Sequence, residues 1–298
     1  MKLFDIVVFT DHRWINPSKI DAYTRNVLHE DELVVNALKN AGLSVIRKSW
    51  DDPVFNWKSA RSLLFRTTWD YFDRFTEFSK WLNYVSKHTI LFNSEKVIRW
   101  NLDKHYLTYL QDKGIHIAST YFIEQGETKK LLDVINYTKW YESVLKPCIS
   151  GAARHTYRIN LENYSNYENI FASLLKNESL MLQPFQNAIM NEGEMSLMVI
   201  NGTYTHAILK KAKPGDFRVQ DDFGGTVHEY EPSLEMIKIA ENAVANCIEK
   251  PIYARVDIFR DNEDKWAVSE LELIEPELWF RYNPEAAVQL ANALAKQF

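Results

Sequence analysis

Between Arg255 and Ile274 the chain alternates apolar and polar residues twice, as Arg255-Val-Asp-Ile-Phe259 and Trp266-Ala-Val-Ser-Glu-Leu-Glu-Leu-Ile274, around a polar turn from Arg260 to Lys265. Alternation with a period of two on both sides of a turn predicts an antiparallel hairpin. Arg255 and Asp257 then share one face of the first strand, and Glu270 and Glu272 one face of the second. A register that merges the two faces gathers three carboxylates, which repel one another unless a cation sits among them. Mg2+, a hard ion that prefers oxygen donors, suits such a set. The plainer alternative is a strand that points its acids into water.

Composition narrows the classes. The 298 residues are 46% hydrophobic and 25% charged, as expected of a soluble globular chain of two or three units. A net charge of -5 without a basic run argues against a nucleic-acid or membrane-surface partner. Cys148 and Cys247 are too few for a disulfide framework, so a reducing cytoplasm is expected. The N-terminal run Leu3 to Phe9 carries Asp5 and is too short to span a bilayer; it reads as a first buried strand.

Along the chain, a helix from Ile20 to Ala41 ends at Gly42 and leads into a strand over Leu43–Ile46, a βαβ opening. A strand over Ser62–Arg66, a helix through Phe75, Phe78, Leu82 and Val85, and a strand over Ile90–Phe92 complete an α/β unit ending near Asn93. Arg66, Trp69, Asp70 and Tyr71 stand at a strand end, where open α/β sheets bind ligands; an aromatic corner packed on the next unit is the alternative. A helix from Asn101 to Lys113 carries Lys104 in its first turn. A strand then ends at Lys146-Pro147 before the small-residue loop Cys148–Ala153, suited to close approach of backbone N–H groups to a phosphate. Leu180–Phe185 reads as a strand ending at a proline, with backbone groups left for an adenine edge or simply running into a loop. Glu194–Ile200 and Tyr204–Lys210 form a second hairpin about Asn201-Gly202. Asp216-Phe217-Arg218-Val219-Gln220 with Gly224-Gly225 places an arginine in a loop, and Pro284–Lys296 is a packing helix.

In this order the pieces resemble the ATP-grasp superfamily of carboxylate-amine ligases, in particular its glutathione-synthetase-like and ribosomal-protein glutamate-ligase branch. Arg66-x-x-Trp69-Asp70-Tyr71 and Glu270-Leu-Glu-Leu-Ile-Glu-Pro276 are most similar to the cyclo-ligase-type group. The resemblance implies an α/β and α+β fold of three subdomains: an N-terminal α/β domain (1–93) on the substrate side, a central lid (120–179), and a C-terminal α+β domain (94–119 and 180–298), with ATP between the last two. It implies ATP and Mg2+, with Mn2+ as a substitute. Lys104, Lys146 and Lys210 fall on nucleotide-side positions; Gln183, Pro184 and Phe185 meet the adenine; Glu192 or Glu194 reaches the ribose. Asp257, Glu270 and Glu272 take the metal positions, and Arg218 and Arg255 steady the transferred phosphoryl group. Arg66, Trp69, Asp70, Tyr71 and Glu275 face the substrate, with Asp11, Trp279 and Arg281 as further candidates at the cleft. Trp279 and Phe280 are equally readable as core.

Two departures stand out. Much of the superfamily has Glu-x-Asn where this chain has Glu270-x-Glu272, and the lid loop is poor in glycine, with Arg154 and His155 just after it. The implied chemistry is attack of a small-molecule or peptide carboxylate on the γ-phosphoryl of ATP, then displacement of phosphate from the acyl phosphate by an amine-type nucleophile. Intramolecular cyclisation, a kinase-like transfer that stops at phosphorylation, and nucleotide binding without turnover are the alternatives. A homo-oligomer is compatible with the resemblance.

Overall fold

The computed structural model describes residues 2–219 and 224–298; Gln220 of the arginine loop lies outside them. Three sheets account for the strands. The first is parallel, in the order β2-β1-β3-β4, from β1 (Phe4–Thr10), β2 (Val45–Ser49), β3 (Ala60–Phe65) and β4 (Ile90–Phe92). Helices Ala22–Asn40 and Phe75–Val85 connect these strands. Ile6 to Phe9 are fully buried, so β1 reads as an unbroken apolar run rather than an alternating one. The strand expected at Leu43 starts instead at Val45. The first helix ends in a Schellman-type turn: the Leu43 N–H donates to the Leu38 carbonyl at 3.2 Å and Gly42 takes φ +85°, which uses Leu43 in the cap.

The middle sheet is antiparallel, in the order β5-β8-β6-β7, from β5 (Tyr121–Ile123), β6 (Glu142–Pro147), β7 (Tyr157–Asn160) and β8 (Leu180–Pro184). Its core joins Leu145 and Leu182, directly opposite across β6 and β8, to Phe171 and Ile135 of two covering helices. That pairing places Leu180–Pro184 in the middle sheet, although the sequence reading begins the C-terminal unit at residue 180.

The third sheet, β11-β10-β9-β12-β13, is antiparallel and carries the chemistry: β9 (Glu194–Ile200), β10 (Thr203–Lys211), β11 (Thr226–Tyr230), β12 (Tyr253–Arg260) and β13 (Trp266–Glu272). The hairpin register pairs Arg255 with Glu272 and Asp257 with Glu270, with a bulge just beyond Asp257. The merged face expected from alternation therefore forms.

The helix expected over Asn101–Lys113 is two helices, Glu95–Asn101 and Tyr106–Asp112. Between them the Lys104 N–H donates to the Cys148 carbonyl at 3.0 Å. Lys104 thus sits in a break rather than a helical first turn. The same break frees side chains to dress the edge strand β13: Asn101 Nδ2 donates to the Leu271 carbonyl (2.7 Å), Asn101 Oδ1 accepts from Leu273 N (2.9 Å), and the Tyr106 hydroxyl accepts from Leu271 N (2.9 Å). These bonds replace the missing neighbour strand and hold Glu270 and Glu272 in place. No helix among the described residues is long and apolar enough to cross a membrane.

Asn101→Ala would leave a buried carbonyl and a buried N–H of β13 without partners. At about 1–3 kcal/mol for each of the two unsatisfied groups, a loss of about 2–6 kcal/mol is expected in denaturant unfolding.

Candidate active site

The three acids of the hairpin face do gather, and the protein itself supplies cations among them. Lys210 Nζ, at the end of β10, lies 2.9 Å from Asp257 and 2.7 Å from Glu194. Arg255 donates through Nε and Nη2 to Asp257 at 2.9 and 2.8 Å, and Nη2 also pairs with Glu272. Lys104 Nζ stands 3.1 Å from Glu270 and donates to the Ser150 carbonyl at 2.7 Å. Ser196 Oγ on β9 donates to Asp257 at 2.6 Å, and Ser269 Oγ to Glu194 at 2.6 Å.

These pairings set the protonation states. Burial alone would raise Asp257, but Arg255 and Lys210 hold it well below the usual carboxylate range. Burial opposes ionisation of Glu270 too, and Lys104 and Lys146 reverse it, so Glu270 is lowered. Glu272 has only Arg255 close by and feels both neighbouring acids; burial and that repulsion push it up to about 7. Lys146 is the one lysine of the set whose proton affinity falls, because of burial and the nearby Lys104 charge.

Around this centre lies a cavity of about 490 Å3, walled by the second and third sheets and by segments that follow strands of the first. Its apolar wall includes Phe185, Ile189, Phe217, Val219 and Phe259. The Arg158 guanidinium covers the Phe185 ring at 3.7 Å, and the Phe185 and Phe217 rings are 6.1 Å apart. The opposite wall comes from segments that follow strands of the first sheet: Arg13, Trp14 and Tyr23 after β1, and Trp69 and Phe72 after β3, with Glu275 and Glu277 in the segment after β13. Trp14 meets Trp69 and Tyr23 edge-on, each at 5.9 Å. Gly151 of the lid loop closes against this wall. A Cβ there would come within 2.6 Å of the Phe72 ring, so this glycine permits close approach between lid and first domain. The following Ala152 and Ala153 accept φ of +47° and +53°, a strained turn without further glycine.

The cavity brings together Lys104, Lys146, Gln183, Pro184, Phe185, Glu194, Lys210, Arg218, Arg255, Asp257, Glu270, Glu272, Trp69 and Glu275. Arg218 is held by its own Asp216 through Nε (3.0 Å) and Nη2 (2.7 Å). Other expectations need correction. Glu192 is not a cleft residue: it is exposed, 3.7 Å from Arg260, because Gly193 reverses the chain before Glu194. The backbone expected to be free at the end of β8 is engaged. Phe185 N donates to the Glu142 carbonyl (2.9 Å), and the Phe185 carbonyl accepts from Asn262 Nδ2 (2.8 Å).

On the substrate side, Arg66 is 1% exposed behind the wall, donating to the Pro276 carbonyl at 3.3 Å and stacking 5.3 Å over Phe280. Asp70 binds Trp50 Nε1 (2.7 Å) and Arg74 (2.9 Å). Neither lines the cavity, and both brace the loop that presents Trp69. Tyr71 is buried and stands next to Glu275, outside the cavity lining. Asp11, fully buried, holds Arg13 through paired bonds of 3.0 and 2.6 Å. Arg281 is taken up by Glu30 and Glu277. Trp279 is both core and wall: 3% exposed, with φ +46°, and 5.1 Å from the Arg255 guanidinium.

Sequence reasoning missed Arg13, Trp14 and Tyr23. The signal existed, since Asp11-His12-Arg13-Trp14 follows the end of β1 just as Arg66–Tyr71 follows β3. The rule about strand ends applies to both.

The donor set fits Mg2+: Asp257, Glu270 and Glu272 offer only hard oxygens, in a cleft with room for phosphates. Among the described residues their oxygens do not all lie within 4.8 Å of one another, with Arg255 standing between Asp257 and Glu272 and Lys104 beside Glu270. The acids therefore suit an ion shared with phosphate oxygens better than a closed protein cage.

Since Glu272 titrates near 7 in the fold, against an ordinary value near 4.5, it favours the folded state when protonated. Its ionisation costs stability as pH rises from about 4.5 through 7. Glu272→Gln should therefore unfold several degrees higher than wild type at pH 8, with the difference shrinking toward zero at pH 4, as read by thermal melts without nucleotide.

Comparison with known proteins agrees with this geometry. Residues 104–274 match the RimK-like ATP-grasp domain, and residues 6–93 match the N-terminal domain of D-cycloserine synthetase DcsG. The cycloserine biosynthesis protein DcsG of Streptomyces lavendulae is 27% identical over 93% of this chain and 96% of its own. Its family resemblance extends to structure: a crystal structure of D-cycloserine synthetase DcsG superposes with a TM-score of 0.84 at 24% identity, covering 98% of this chain and 99% of that one. D-alanine–D-alanine ligase from Bacillus anthracis superposes with a TM-score of 0.68 at 12% identity, covering 98% and 96%. The chain belongs to the RimK-like ATP-grasp family and is an ATP-dependent ligase that forms C–N bonds.

Proposed function

We propose that the protein activates the carboxylate of a small amino-acid-like substrate as an acyl phosphate at the expense of ATP, and that a nitrogen nucleophile then displaces phosphate. The observation that carries this reading is the single cavity in which the Lys104, Lys146, Lys210 and Arg255 cations meet an apolar slot on one side and the Arg13–Trp14–Trp69 wall on the other.

The apolar slot between Phe185, Phe217 and Phe259 suits an adenine ring, with Gln183 and Glu194 as its polar neighbours. Lys104 and Lys146 face the phosphate path from two different units, core and lid. Closure of the lid loop therefore brings both charges to one anion. Mg2+, held by Asp257, Glu270 and Glu272, would supply charge neutralisation on the phosphates. Phosphoryl transfer asks little covalent help of a protein and much positioning. Arg255 is already fixed between Asp257 and Glu272 and needs no reorganisation when charge develops beside it. The lid loop packed on Phe72 excludes water, which would otherwise hydrolyse the acyl phosphate. On the substrate side, Arg13 offers a guanidinium pre-aligned by buried Asp11, suited to a carboxylate.

Cyclisation is the second reading, favoured by one observation. The match to D-cycloserine synthetase DcsG includes the N-terminal domain, residues 6–93, which forms the substrate wall. In that reading, activated carbonyl and attacking nitrogen belong to one molecule.

The test is ADP release across amino acids, dipeptides and ureido or hydroxamate analogues, with and without Mg2+, and with hydroxylamine as a trap. Wild type should release ADP only with a suitable carboxylate and Mg2+, and should yield an acyl hydroxamate. Glu270→Gln and Lys146→Met should each lower that rate about 100-fold or more, in line with loss of one charge-stabilising group. ADP release without hydroxamate would point instead to phosphorylation of a hydroxyl.

A further inference from the structure

Glu275 is placed differently from the acids before it. Asp257, Glu270 and Glu272 each have a lysine or arginine partner at 3.1 Å or closer; Glu275 lines the same cavity beside the buried Tyr71. Its backbone is fixed residue by residue. Leu273 is bound by Asn93 and Asn101, the Ile274 carbonyl by the Tyr253 hydroxyl at 2.7 Å, the Glu275 carbonyl by Trp69 Nε1 at 2.9 Å, and the Pro276 carbonyl by Arg66. A backbone pinned at four successive residues gives the side chain a defined direction. It stands three residues past Glu272, where the charged floor ends and the Trp69 wall begins.

A carboxylate in that position repels a substrate carboxylate and an acyl phosphate, but it accepts a proton from a nitrogen. We propose that Glu275 is the catalytic base of the second half-reaction, oriented by Tyr71. As the nitrogen lone pair forms the C–N bond, its N–H proton passes to the Glu275 carboxylate. The bond between the acyl carbon and the phosphate oxygen breaks, and inorganic phosphate leaves with that electron pair. Glu275 then gives the proton to water in the cleft.

Two further observations agree. Burial and the Glu272 charge raise Glu275 well above the ordinary carboxylate range, with Lys104 opposing, which makes its ionised form a stronger base. Burial and the Glu275 charge likewise raise Tyr71 well above its ordinary value, so its hydroxyl keeps its proton.

This inference rests on the reading above and is tested apart from it, by the ratio of C–N product to ADP in the full-length enzyme. With the substrate that gives ADP in wild type, Glu275→Gln should lower that ratio about 100-fold, while added hydroxylamine, itself a free amine, still traps the acyl phosphate. Glu275→Asp should restore part of the ratio, and Tyr71→Phe should lower it by a smaller factor. A Glu275→Gln ratio equal to wild type overturns the assignment. So does a variant that melts normally and binds Mg2+-ATP yet makes neither ADP nor hydroxamate, since Glu275 would then act before the acyl phosphate. Absence of ADP release by wild type with every substrate would count against the ligase reading itself.

Discussion

Asp257 is the point on which the rest of the site depends. It is 2% exposed, on the inner strand β12, and takes five polar contacts from four residues: Arg255 twice on its own strand, Ser196 from the adjacent β9, Lys210 from β10 beyond it, and the Ser269 hydroxyl at its backbone carbonyl. A buried charge with fewer partners would cost several kcal/mol. Once these partners are in place, Arg255 is committed to a position from which it also reaches Glu272, and Lys210 to one from which it reaches Glu194. The orientation of four other charged side chains follows from keeping one carboxylate ionised.

This arrangement changes the meaning of the acidic hairpin. Three gathered carboxylates repel one another unless a cation sits among them. In the folded chain Lys104, Lys210 and Arg255 already answer much of the repulsion. The one acid left incompletely neutralised is Glu272, 27% exposed to the cleft and poised near neutrality. An ion and phosphates entering the site would find most of the electrostatic field already built, which is the condition under which charge stabilisation is most effective.

What could be read from the letters follows from what each pattern depends on. The hairpin register, the merged face and the cleft positions of Lys104, Lys146, Lys210 and Glu194 follow from alternation and from the order of motifs. Glu192 was inseparable from Glu194 because the reversal at Gly193 is a three-dimensional event. There φ is +88° and a Cβ would fall 2.4 Å from the Lys210 carbonyl. Arg66 and Asp70 shared a motif with Trp69, yet only the indole reaches the cleft; Asp70 binds Trp50 and Arg74, and Arg66 binds Pro276, 210 positions away. The break at Lys104 depends on the Cys148 carbonyl, forty-four positions away, which no local propensity encodes.

We propose that the ion-paired acids form a Mg2+-nucleotide site. This is tested most directly by calorimetric titration of the full-length protein with a non-hydrolysable ATP analogue, with and without Mg2+, in wild type and in Asp257→Asn. The account predicts saturable binding that strengthens at least about tenfold with Mg2+, equivalent to about 1.4 kcal/mol, and loses that gain in the variant. Equal affinity in all four titrations, or no binding in any, would contradict it.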